Sequence, residues 1–229
     1  MLEDMKIKVC EANLDLKRHT LIIFSWGNVS GIDREKGIIG IKPSGISYDE
    51  LTPDKIVLVD LDGRVVEGNL RPSSDTATHL ELYQNFKHIG GVCHTHSTYA
   101  TSWAQSCRPI PCMGTTHADY FYGAIPVTAE MTPEQIKDDY ELNTGKVIVE
   151  TFKTIDPYQM PAVLVANHGP FTWGPTPDKS VESAVVLEQV AQMALNNVRL
   201  NPPLKPISQS LLDKHYLRKH GKNSYYGQP

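Results

Sequence analysis

His94 and His96 stand one residue apart in the stretch GGVCHTHSTYATSW, residues 90–103. Successive side chains of an extended strand point to opposite faces, so residues i and i+2 project together. If VCHTH is extended, the two imidazoles share a face and can share one cation. Cys93 and Thr95 then turn the other way, which makes Cys93 a poor ligand. A third ligand has to come from elsewhere. His168 is the best candidate, because it ends the apolar run AVLVANH just before Gly169-Pro170, where a strand meets a loop. Three neutral imidazoles suit Zn²⁺, and a vacant fourth position makes such a site catalytic. The same spacing also fits a plain strand with one packed and one exposed histidine. Of the other histidines, His19, His79, His88 and His220 fall in helical or turn contexts and are expected at the surface. His215 shares a helix face with Leu211 and Leu212, which predicts core packing.

Periodicity gives the elements that would position these groups. Leu2, Met5, Val9, Ala12 and Leu16 recur at three- and four-residue steps, predicting a helix over 2–16. TLIIFSW predicts a strand broken at Gly27-Asn28, and KGIIGIKPSG a second one ended by Pro43 and Gly45. KIVLVDLDGRVVEG holds two apolar runs around Asp62-Gly63, a hairpin signal. RPSSDTATHLELYQNF opens a helix, with Ser73, Ser74 and Asp75 as cap-type residues and Ala77, Leu80, Tyr83 and Phe86 as its apolar face. Ser97 is placed to cap a helix over TYATSWAQ. Thr132, Pro133 and Gln135 have the pattern of a capping box, with Gly145 as the stop. KVIVETF and AVLVANHG predict strands. TPDKSVESAVVLEQVAQMALNNVRL predicts a long helix capped by Thr176, and a last helix covers about 208–220, ahead of the tail GKNSYYGQP. The hairpin-sized steps between the early strands argue for a largely antiparallel sheet flanked by helices, in one domain.

Bulk properties narrow the function. The 229 residues carry a net charge of -4, whereas a protein that tracks nucleic-acid phosphates usually has a basic excess. No run of eighteen apolar residues exists, which argues against a membrane span. There is no GxGxxG and no Walker sequence, so a nucleotide-binding α/β fold is disfavoured. The start MLEDMKIK lacks the pattern of a signal peptide, and Cys10, Cys93, Cys107 and Cys112 form no CxxC pair. Together these predict a cytoplasmic protein with reduced thiols.

Several longer motifs occur in order: SWGNVS (25–30), IKPSG (41–45), RPSSDTATH (71–79), HTHSTYATSWAQ (94–105), GTTHADYFYG (114–123), NHGPFTWG (167–174) and the C-terminal KHYLRKHG with YYGQ (225–228). In these the chain resembles the class II aldolase/epimerase family over nearly its whole length. The resemblance implies an α/β fold, a single three-layer α/β/α domain over 1–229 around a mainly antiparallel central sheet. It implies a cyclic homotetramer with active sites between subunits, to which the tail 221–229 contributes. It implies one Zn²⁺ per subunit on His94, His96 and His168, with Asp75 beside the metal. Aldolase relatives carry Glu at that position, so Asp75 favours the epimerase branch.

The implied reaction inverts C4 of a ketopentose phosphate. The C4 hydrogen is not acidic, so a retro-aldol break of the C3–C4 bond and its re-formation on the other face offers a route, with Zn²⁺ as Lewis acid. Asp119 and Tyr226 match the family's acid/base pair. Gly27, Asn28, Lys42, Ser44, Gly45, Ser73 and Ser74 match positions around the substrate phosphate, where a helix start and glycine turns suit an anion. Thr115 and Glu141 match positions near the site without an assigned role. The alternatives are a sugar-phosphate aldolase and a non-catalytic metal-binding protein of the same fold. The expected partners are a small sugar phosphate and further copies of the chain, with neither nucleic acid nor membrane.

Overall fold

Strand residues alternate between two helical layers, and that alternation places the histidines. The structure, a computed structural model, describes residues 2–221, 224 and 225. In chain order its elements are α1 (Leu2–Arg18), β1 (Asn28–Asp33), β2 (Ile38–Ile41), β3 (Val57–Asp60), β4 (Val65–Glu67), α2 (Thr76–Asn85), β5 (Gly91–His94) and α3 (Thr98–Gln105). There follow α4 (Thr115–Ala118), α5 (Pro133–Lys137), α6 (Tyr140–Thr151), β6 (Ala162–Leu164), β7 (Pro170–Gly174), α7 (Pro177–Leu200) and α8 (Gln209–His220). The seven strands form one sheet in the order β4-β3-β2-β1-β5-β7-β6, antiparallel at every step.

Helices cover both faces, giving the expected three layers. On one face, Val29 and Cys93 pack with Ala12 and Leu16 of α1 and Val181 and Ala184 of α7. On the other, Ile39, Ile41, Val59, Val92 and Phe171 pack with Leu82 and Tyr83 of α2 and Ile148 of α6. Cys93 therefore turns away from its neighbours Val92 and His94, as the period of two requires. Residues 28–31 and 91–94 meet in register, with Asn28 opposite His94 and Ser30 opposite Val92.

Four expectations fail for physical reasons. Residues 20–26, TLIIFSW, are not a strand: Phe24 has a φ of 56°, and β1 begins only at Asn28. KVIVETF is helical, because α6 runs from Tyr140 to Thr151 straight through Gly145. Gly145 is not a stop but a close-packing position. A Cβ there would sit 2.6 Å from the Cβ of Glu81 and 3.2 Å from the carbonyl of Thr78, both on α2. The apolar β-branched run of α6 thus faces a helix rather than a strand neighbour. Finally, Ser97 sits at the N-cap of α3 without making a cap bond. Glu188 of α7 caps that helix instead, accepting from the N–H groups of Tyr99 (2.8 Å) and Ala100 (2.9 Å).

Gly91 explains why β5 can run under α7. A Cβ at Gly91 would lie 2.5 Å from the Cα of Pro177 and 2.6 Å from the carbonyl oxygen of Thr176, both backbone atoms that cannot swing aside. Gly91→Ala is expected to destabilise the fold by about 2–3 kcal/mol, whereas Gly114→Ala, whose Cβ meets nothing within 4 Å, stays within about 0.5 kcal/mol. Urea unfolding of both variants checks this; equal midpoints would contradict the close approach.

Candidate active site

The three histidines converge at one end of the sheet. His94 closes β5 on the face it shares with Asn28. His96 lies two residues on, in the link to α3. His168 sits in the tight turn between β6 and β7, where its N–H donates to the carbonyl of Val165 at 3.0 Å and Val165 donates to Gly169 at 2.9 Å. Asn167 takes the left-handed conformation there, with φ 62°. The ring centroids of His94 and His168 are 4.8 Å apart, those of His94 and His96 also 4.8 Å, and those of His96 and His168 5.1 Å. One ligand atom from each lies within 4.8 Å of the others, a group that can hold a metal ion.

The chemistry of these donors fits a cation. Burial, then the neighbouring histidines, push the His168 imidazole down to about 3, and burial and His94 lower His96 as well. Both are therefore neutral at physiological pH, with a lone pair to give. The Nδ1 of His94 is 2.9 Å from the carbonyl of Pro170, which can only accept, so Nδ1 carries a proton and Nε2 is the nitrogen left to serve as a ligand. That Nε2 faces the Nε2 of His96 at 3.1 Å. Two nitrogens held about 2.0–2.1 Å from a tetrahedral ion are about 3.3 Å apart, close to this spacing.

Asp75 and the polar seam behind it were only partly visible in the sequence. Asp75, His79 and Tyr83 lie four residues apart on α2 and its N-cap, so they form one stripe. The stripe faces β1: Asn28 donates to Asp75 Oδ2 at 2.6 Å, and Ser30 Oγ lies 2.7 Å from His79 Nδ1 and 2.9 Å from Tyr83 Oη. His79 is fully buried rather than on the surface, and burial drives its imidazole down to about 3. Burial works to raise the Asp75 carboxyl, but His94, His79 and the Asn28 amide outweigh it and hold it below the ordinary range. Asp75 makes no cap bond to α2.

A cavity of about 530 Å³ joins these groups. His94, His96, His168 and Asp75 line it, and so do Gly27, Asn28, Lys42, Ser44, Gly45, Ser73 and Ser74. Every residue matched to the metal or the phosphate thus meets in one place. The donors differ from the expectation in detail. The N–H of Ser44 bonds Arg71 and that of Ser73 bonds Lys42, so two backbone donors are used within the protein. Asn28 spends its amide on Asp75 and on Ser73 Oγ (3.1 Å). Lys42 is 2% exposed, with its ammonium 4.9 Å from the centre of the Tyr48 ring. Burial lowers it to about 8, and no carboxylate among the described residues pairs with it.

The acid/base candidates lie elsewhere. Asp119 ends α4 outside the cavity lining. Burial raises its carboxyl, but Arg218 (2.9 Å), His215 (2.9 Å) and Lys219 (3.5 Å) overcome that and lower it. His215 therefore hydrogen-bonds a carboxylate rather than packing into the core. Thr115 is also outside the cavity, Glu141 lines it, and Tyr226 lies outside the described residues. Trp26 and Tyr140 also line the cavity. Trp26 stood in the motif SWGNVS, but no periodicity marked Tyr140.

The profile described as Class II Aldolase and Adducin N-terminal domain matches residues 7–195. The chain belongs to this family. It is 54% identical, over 99% of its own length and all of the relative's, to an L-ribulose-5-phosphate 4-epimerase UlaF of Salmonella paratyphi B, and to the same degree to that of Salmonella typhi. Among solved structures it is similar to an L-fuculose 1-phosphate aldolase, with a TM-score of 0.79 at 27% identity over 93% of this chain and 94% of that one. An L-fuculose 1-phosphate aldolase from Glaciozyma antarctica shares the fold, with a TM-score of 0.77 over 93% of this chain and 80% of that one, at 19% identity. No helix among the described residues is long and apolar enough to cross a membrane.

Glu188 holds the helix that follows the HTH segment, and sequence patterns placed it only in an amphipathic helix. Glu188→Ala is expected to cost about 2 kcal/mol, since two N–H groups at the start of α3 lose a charged acceptor. Denaturant unfolding measures it; a loss below about 0.5 kcal/mol would mean that another group caps α3.

Proposed function

We propose that the protein is a Zn²⁺-dependent L-ribulose-5-phosphate 4-epimerase that interconverts L-ribulose 5-phosphate and D-xylulose 5-phosphate by breaking and re-forming the C3–C4 bond. The observation that carries this reading is one cavity in which three imidazoles adjoin a buried lysine, without a carboxylate partner among the described residues, and a set of serines. The sugar oxygens and the phosphate of one pentulose phosphate would occupy its two ends. The named relatives support the reaction type, and Asp at position 75 supports epimerisation over cleavage.

His94, His96 and His168 would hold the ion, with Asp75 beside it. When bound, Zn²⁺ supplies Lewis acidity where negative charge develops on oxygen. The protein's own residues do the rest. Lys42 gives a full charge to the phosphate, and the hydroxyls of Ser44 and Ser74 add donors. Asn28 orients Asp75 through its 2.6 Å bond. Asp119, kept ionised by Arg218, His215 and Lys219, takes the C4 hydroxyl proton from one epimer. Tyr226 would serve the opposite face. Because Asp119 stands outside this chain's cavity, it would act in the site of a neighbouring subunit, which supports a homotetramer with sites between subunits. One domain over 1–229, with the tail 221–229 completing a neighbour's site, belongs to the same proposal, as does a cytoplasmic location.

Supplying L-ribulose 5-phosphate to the metal-loaded enzyme and following products tests the reading. D-xylulose 5-phosphate is expected; sustained release of glycolaldehyde phosphate with little xylulose 5-phosphate would overturn it in favour of an aldolase. The phosphate assignment makes a pH prediction. Lys42, lowered to about 8, is charged below that pH and loses its proton above it, so KM is expected to rise as pH passes upward through about 8 while kcat changes little. Lys42→Met should raise KM at least about tenfold at pH 7 and abolish that rise. A KM that is flat in pH, or indifferent to Lys42→Met, would remove Lys42 from the phosphate site.

A further inference from the structure

Tyr140 begins α6 and lines the cavity, with its hydroxyl oxygen 3.3 Å from Nδ1 of His168. Its ring lies against the imidazole at 6.1 Å between centroids and 33° between planes. The approach is built from several sides. Asp139, immediately before it, is held left-handed at φ 52° and ψ 51°, an uncommon state for a residue with a Cβ. Asn143 fixes that turn, its N–H reaching the Asp139 carbonyl at 2.9 Å and its amide the Gln135 carbonyl at 3.0 Å. Thr144 Oγ1 donates to the Tyr140 carbonyl at 2.9 Å, and Thr78 Oγ1 on α2 donates to the Glu141 carbonyl at 2.5 Å. Gly145 lets α6 press close to α2, the helix whose start carries Asp75.

An imidazole that binds a cation through Nε2 must carry its proton on Nδ1, and the partner of that proton fixes both tautomer and ring orientation. His94 has such a partner in the Pro170 carbonyl. For His168 the group in that place is the Tyr140 hydroxyl. We infer that Tyr140 is a positioning residue for His168: its oxygen accepts the Nδ1 proton and aims Nε2 of His168 at the point shared with His94 and His96. This rests on the proposed metal reading and deepens it. Tyr140 acts through His168, and the strained turn at Asp139 is the local cost of bringing α6 over the cavity.

Tyr140→Phe removes one oxygen and keeps the ring, so it separates this role from packing. Zn²⁺ affinity of the full chain, measured by competition with a chelator, is expected to fall about tenfold or more, while the unfolding midpoint of the metal-free protein hardly moves. In Co²⁺-substituted protein the visible absorption bands should shift between wild type and Tyr140→Phe. A reading that needs no variant comes from nuclear magnetic resonance of the Zn²⁺-loaded wild type: a slowly exchanging Nδ1 proton on His168, close to the Tyr140 ring. Wild-type affinity and unchanged bands in Tyr140→Phe, or a His168 without that proton, would overturn the inference and leave the three-histidine site standing. A wild-type protein that takes up no Zn²⁺ would overturn both.

Discussion

Imidazoles a few ångströms apart remain usable as bases only if they stay neutral, and the fold serves that constraint by drawing His96 and His168 partly out of water. His94 ends a central strand, stacked 4.2 Å from Phe171, its cross-strand partner on β7. His168 is fixed in the turn that joins β6 to the same β7. Mutual repulsion and burial act in the same direction on His168 and His96, so protonating either would place a charge that, among the described residues, Asp75 answers. The same low-polarity setting would strengthen any interaction with a cation. The glycine at 91, which admits α7 against β5, and the capping of α3 by Glu188 are the means by which the backbone on either side of the histidines is held.

A second consequence follows on α2. A helix lying over the sheet would ordinarily present an apolar stripe, but this one turns Asp75, His79 and Tyr83 toward Asn28 and Ser30 of β1. Buried polar groups are tolerated when they are paired, and most of these are. The exceptions, Asn28 Oδ1 and His79 Nε2, lie next to Asp75 in this seam. The seam therefore does two jobs at once. It fixes the register of helix against strand, and it carries the carboxylate to the edge of the imidazole cluster. The Lys42 side of the cavity obeys the opposite rule, since Lys42 is buried with no partner carboxylate among the described residues and is left with charge to offer an anion.

Much of this was legible in the amino-acid order, for reasons that can be named. The period of two in VCHTH separated Cys93 from the histidines, and the structure places Cys93 against α1 and α7. The capping box at Thr132 and Gln135, the hairpin at Asp62-Gly63 and the long helix α7 were all local signals, and each formed. What failed depends on contacts between segments far apart in the chain. TLIIFSW has strand composition but no strand to pair with. KVIVETF has strand composition too, and Gly145 draws it onto α2 as a helix. His79, His215 and Glu188 carry ordinary surface residue types, and only the folded chain shows that each faces a buried partner. Tyr140 belongs with them, since nothing local to it points toward a histidine 28 positions later.

The central claim is that His94, His96 and His168 form one cation site and that no thiol takes part. X-ray absorption at the zinc edge on the purified, metal-loaded protein tests it most directly. The account predicts about three imidazole nitrogens at about 2.0–2.1 Å, with oxygen completing the shell. Sulfur scattering near about 2.3 Å, or zinc without imidazole neighbours, would contradict it.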